Sequence, residues 1–255
     1  MTFKESRIYT LEKLEENMDN RYLQNERTIP QVTTEASTIF LAKVFNWMAI
    51  GLGLTGLAAF LTANSQTALQ FIFGNKMVFY GLIFGELGLV FYLSSRIQRI
   101  SAQAATGLFI AYSILNGVTL SAILLLYTMT SVAATFFVTA GMFGAMAVYG
   151  FVTKKDLSSW GSFLFMGLIG IIIASVVNIF LGSSMMSWMI SGIGVIIFTG
   201  LTAYDVQQIT RMGAQGIMDG GEAAIRKGAI MGALKLYLDF INLFLMLLRF
   251  MGDRR

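Results

Sequence analysis

Two aspartates interrupt long apolar stretches. Asp205 closes the run Thr202-Ala203-Tyr204-Asp205, and Asp239 stands inside Leu236-Tyr237-Leu238-Asp239-Phe240-Ile241-Asn242. A carboxylate at bilayer depth costs about 2.5 kcal/mol or more, so such residues persist where the protein interior gives them a partner or a task. Two carboxyls in one partly dry site cannot both ionise cheaply; they titrate as a unit, with one proton between them. Protonated, such a pair closes through a carboxyl-to-carboxylate hydrogen bond. Doubly ionised, it separates or recruits a divalent cation through its hard oxygen ligands.

Lys235, Asp239 and Asn242 follow i, i+4, i+7 spacing and so share one helix face. That face is expected to turn from lipid toward the second and sixth spans. A Lys235–Asp239 ion pair one turn apart is the plain structural reading, and it leaves both without a further role. Glu86 lies about ten residues into its own apolar stretch, where it is neutral, paired or wet. Arg96, at the end of that stretch, can compete for one of the aspartates. Asn116 and Asn178 read as interhelical hydrogen-bonding residues, and Lys43 as a side chain that snorkels to the interface.

With no cysteine and no histidine in the chain, disulfides, thiolate or imidazole metal sites and Ser-His or Cys-His catalysis are excluded. Proton chemistry falls to the carboxylates. No basic cluster interleaves with aromatics, so nucleic acid is not an expected partner.

These residues need membrane-spanning helices to hold them. Of 255 residues, 56% are hydrophobic and 13% charged, against roughly 25% charged in a soluble domain. Seven apolar runs are long enough to cross a hydrocarbon core of about 30 Å as helices: 39–61, 77–95, 102–127, 132–153, 162–181, 185–204 and 229–248. The expected fold is an all-α membrane protein, a single bundle over 39–255. The link 206–228, rich in glycine, is expected to be mobile. Residues 1–38 form a polar tail of interleaved charges with the only proline, Pro30. The tail has no signal-peptide core, so the first span is expected to stay in the mature protein.

Lysine and arginine set the orientation. With the amino terminus in the cytoplasm, that side carries twelve of them and the other side four, namely Lys76, Arg249, Arg254 and Arg255. Three of those four cluster at the carboxyl terminus, which leaves open a last segment that re-enters instead of spanning.

The runs Thr202-Ala203-Tyr204-Asp205-Val206-Gln207, Leu236-Tyr237-Leu238-Asp239-Phe240-Ile241-Asn242-Leu243-Phe244 and Lys154-Lys155-Asp156-Leu157-Ser158 resemble the Bax inhibitor-1, or transmembrane Bax inhibitor motif, family, in particular its bacterial inner-membrane members. The resemblance implies a seven-helix bundle with the last helix central and a pH-dependent calcium leak. It carries the family's di-aspartyl sensor onto Asp205 and Asp239, its latching arginine onto Arg96 and its acidic residue of span two onto Glu86. One bacterial branch modulates a membrane-bound AAA protease through its amino-terminal tail, but this tail shows no distinctive match to that branch.

Three other classes meet some of the same residues. A retinal protein uses a lysine in its last helix, but here Asp239 follows Lys235 by four residues where a counterion precedes it. An intramembrane aspartyl protease shares the Tyr204-Asp205 pair, yet Asp239 lacks a preceding Gly-x-Gly and no Pro-Ala-Leu element exists. A non-transporting membrane modulator remains the alternative. The expected activity is a passive, cofactor-free calcium leak and no enzymatic reaction, gated by Asp205 and Asp239 and supported by Arg96, Glu86, Lys235 and Asn242.

Overall fold

The computed structural model describes residues 35–255. Among the described residues seven helices are long and apolar enough to cross a membrane. In chain order the helices are α1 (Glu35–Ala63), α2 (Gln66–Phe73), α3 (Lys76–Arg96), α4 (Ala102–Leu126), α5 (Met129–Val152), α6 (Ser158–Leu181), α7 (Ser184–Ala214) and α8 (Gly221–Met251). All but α2 are the spans. Residues 1–34 of the expected tail lie outside the described residues, and residues 35–38 already belong to α1.

Helix α8 is the centre of the bundle. Along it Ala233, Leu234, Leu236, Tyr237 and Leu243 are fully buried, and it packs on α4, α5 and α7. The outer helices show large apolar side chains such as Phe84, Phe163 and Phe180 on their outward faces, as lipid-facing helices must. Polar side chains close most helix starts: Ser65, Asn75, Ser101, Thr128 and Ser183 each accept a hydrogen bond from a first-turn N–H.

The expected link 206–228 is mostly helix. α7 continues to Ala214 and α8 begins at Gly221, with residues 217–220 as one 3-10 turn. Polar residues from Asp205 onward end the apolar run, but a helix need not stop where the membrane does. Val206 and Ile209 keep its buried face going. Gly216 and Gly221 take positive φ of 84° and 77°, which a residue with a Cβ adopts only at a cost, and they turn the chain back.

The last segment does not re-enter. α8 runs unbroken to Met251, and the residues after it are pinned to the α4–α5 turn, at the end of the bundle away from the α5–α6 turn. Thr128 N–H donates to the Asp253 carbonyl, Arg255 N–H donates to that of Leu126, and the Arg254 guanidinium lies over the Tyr127 ring.

Candidate functional site

Asp205 and Asp239 come together. The helices meet in a staggered register, with Gly194 against Met246 and Gly192 against Phe250, which carries Asp205 to the level of Lys235 and Asp239. The two carboxyls are close enough to interact directly. Asp239 is 5% exposed, and its Oδ2 is buried with no hydrogen-bond partner among the described residues. The Asp205 side chain is 13% exposed, and Lys235 Nζ donates to its Oδ1 at 3.4 Å.

Lys235 therefore pairs across helices with Asp205, not along its own helix with Asp239 as the plain reading had it. Nor does Arg96 stand at the pair: it is exposed at the end of α3. The Lys235–Asp239–Asn242 stripe looks toward α6 and α7, the fifth and sixth spans, in place of the second and sixth. Asn242 donates to the Leu238 carbonyl and lines the same space.

That space is a groove of about 870 Å³ between α6 and α8, floored by α7. It runs along α6 from Gly161 to Ile179, with the charged residues near one end. α6 packs along α7 but stands off α8. Gly161 lets the Tyr204 ring lie directly on α6, because any Cβ there would collide with it.

Glu86 belongs to a second polar cluster on another face of α8. It accepts from Asn116 Nδ2 at 3.0 Å and from the Thr119 hydroxyl. Tyr237 OH donates to Asn116 Oδ1 at 3.0 Å and lies 2.6 Å from the Thr55 hydroxyl. Glu86 is thus tied to α1, α4 and α8 through hydrogen bonds, and a buried carboxyl with two donors is satisfied where it is. The role of Tyr237 was not anticipated from sequence. A tyrosine two residues before an intramembrane aspartate, and so on another helix face, was the available signal. Asn178 is interhelical as expected: it donates to Ser187 Oγ of α7 at 2.7 Å and accepts from Ser183 N–H, tying the α6–α7 turn.

At the end of the bundle near the aspartates, α7 holds the α5–α6 turn. Gln207 accepts from Leu157 N–H at 2.9 Å and donates to the Lys155 carbonyl at 2.8 Å. Arg211 donates to Asp156 Oδ1 at 2.8 Å. Hydrogen bonds from Ser158, then the contact with Arg211, bring the Asp156 carboxyl down to about 2. A depressed carboxyl contributes above its unfolded value, near 3.9, and the contribution is lost as pH falls through the folded value. The Asp156–Arg211 contact is therefore expected to persist unchanged from pH 8 to pH 5. Carboxyl-carbon NMR of Asp156 checks this; a titration step inside that window would refute it.

Among the described residues no group of three or more acidic side chains could hold a metal ion. Calcium takes six to eight oxygens, so two carboxyls supply only part of the set a calcium ion needs.

Comparison with known proteins matches residues 38–255 to the family described as inhibitor of apoptosis-promoting Bax1. The inner membrane protein YbhL of Escherichia coli K12 is 52% identical over 216 residues, covering 85% of this chain and 92% of that protein. A protein of Deinococcus radiodurans is 43% identical over 238 residues, 93% of this chain and 98% of its own length. One from Rickettsia prowazekii is 45% identical over 218 residues, 85% of this chain and 90% of its own. A seven-span bundle with its last helix central and a match over all of those spans make the chain a member of the Bax inhibitor-1 family.

Proposed function

We propose that the protein is a pH-sensitive passive calcium leak in a bacterial inner membrane, with its amino terminus in the cytoplasm and the Asp205–Asp239 pair as the gate. The observation that carries this reading is the unpartnered, buried oxygen of Asp239 beside a second carboxyl. Among the described residues no donor reaches that oxygen, and a proton on the pair is the hydrogen that can satisfy it. Holding the proton ties α7 to α8 through two side chains; losing it leaves two negative charges in contact, relieved by separation or by a cation drawn to them. The groove that begins at the pair gives the two helices room to move against α6.

Lys235 sets the balance. Its ammonium faces Asp205 at 3.4 Å and favours the ionised form of the pair. Calcium flux into proteoliposomes, followed across pH, tests the reading: flux is expected to change with pH through one transition. Lys235→Gln is expected to move the midpoint upward, because the ammonium that favours the ionised form of the pair is gone. A midpoint that stays in place would remove Lys235 from the gate, and flux independent of pH in the wild type would remove the gate itself.

A further inference from the structure

We infer that the groove between α6 and α8 is a binding site for one phospholipid with a primary-amine headgroup, its acyl chain lying along α6 and its phosphate on Lys235. The groove runs along nineteen residues of α6, Gly161 to Ile179, roughly 27 Å at helical rise, close to the ~30 Å hydrocarbon thickness. Its walls are apolar over most of that length, with Leu168, Ile172, Val176, Leu238 and Met246 among them, and Ile172 and Val176 are also open to the outside. At bilayer depth that outside is hydrocarbon. A void of about 870 Å³ forfeits dispersion contacts, and water there finds few polar partners, so an acyl chain is the natural filling.

The chemistry at one end selects the headgroup. Tyr204 and Asp205 line the groove near the first turn of α6, where the exposed Trp160 marks the aromatic level of the interface. Lys235 is 46% exposed and has one partner among the described residues. An ammonium has three donors, so it has capacity left for a phosphate oxygen. The carboxylate of Asp205 beside it disfavours a purely anionic headgroup and favours one that follows its phosphate with a cation. A primary ammonium can donate hydrogen bonds to that carboxylate, whereas a quaternary one has no N–H to give. The site thus discriminates by charge and by donor, and a phosphatidylethanolamine-type lipid meets both requirements.

The lipid site shares Lys235 and Asp205 with the proposed gate, and its test is read without any flux. Protein reconstituted in nanodiscs with equal parts of phosphatidylethanolamine, phosphatidylcholine and phosphatidylglycerol is released and examined by native mass spectrometry. One phosphatidylethanolamine is expected to remain, enriched about tenfold over either other class, the scale of one charge-assisted contact. Ser175→Trp and Ile172→Trp fill the groove midway and are expected to abolish retention. Phe163→Trp, on the lipid-facing side of α6 outside the groove, is expected to leave it unchanged. Spin-labelled lipids on the unaltered protein provide a second reading, with an immobilised component for phosphatidylethanolamine and little for phosphatidylcholine. Equal retention of all three classes, or full retention in both groove-filled variants, overturns the inference. Retention as expected with flux that ignores pH would overturn the gate and leave the lipid site standing.

Discussion

Asp239→Asn and Asp205→Asn are each expected to abolish the pH dependence of calcium flux, and Asp239→Asn is expected to hold it at the level the wild type reaches on the acid side. Asparagine keeps the shape of the protonated carboxyl and brings two N–H donors. At position 239 it can donate to Asp205 whatever the pH, so α7 and α8 stay tied as they are when the pair holds its proton. Asp205 then keeps Lys235 as its counter-ion and has no neighbouring acid against which to titrate. Asp205→Asn differs in one respect: it also removes the partner of Lys235, leaving a half-exposed lysine that can turn to the interface. The two variants therefore share a flat pH profile and can differ in its height. Proteoliposome flux between pH 5 and pH 8 measures both. Because Asp156 titrates far below this window, a pH response surviving in both variants cannot be assigned to the α5–α6 turn and would mean that the two carboxyls are not the sensor.

Run length made the seven spans legible in the sequence, because a hydrocarbon core fixes the number of apolar residues a helix needs. The short helix α2 was not expected. Eight residues cannot span, and hydropathy takes them for a connection, although Ser65 accepting from Ala68 N–H is a start signal open to reading. The two aspartates were equally readable, since a carboxylate at membrane depth is costly wherever it lies. Lys235 was named as a supporting residue from its spacing, but which aspartate it pairs with was not legible. The Lys235–Asp205 pair, and α6 in place of α3 as the facing wall, follow from the register between α7 and α8. That register depends on how far the two helices run past their apolar runs, to Ala214 and back to Gly221, and on the 3-10 turn between them. Composition is silent on all three.

The close approach of α5 to α7 supplies the second large effect. Gly150 lies against the Ala203 carbonyl, two residues before Asp205, so that a Cβ built on Gly150 would overlap that backbone oxygen. Neither side can yield by a rotamer change, because both contacts are main chain, and the helices must part or shift along one another. Gly150→Ala is therefore expected to destabilise the protein by about 1–3 kcal/mol, the usual cost of an extra methyl in a filled interior. Gly144, on the same helix, has open space where a Cβ would stand. There the same substitution is expected to be neutral or to stabilise by up to about 1 kcal/mol, because alanine is the better helix former. Thermal unfolding in one detergent compares the two, and equal melting temperatures would refute the contact. The displacement at Ala203 passes along a rigid helix to Asp205, so Gly150→Ala is also expected to shift the midpoint of pH-dependent flux while Gly144→Ala leaves it in place. Such a contrast separates a change in the packing that holds the two carboxyls together from a general loss of stability.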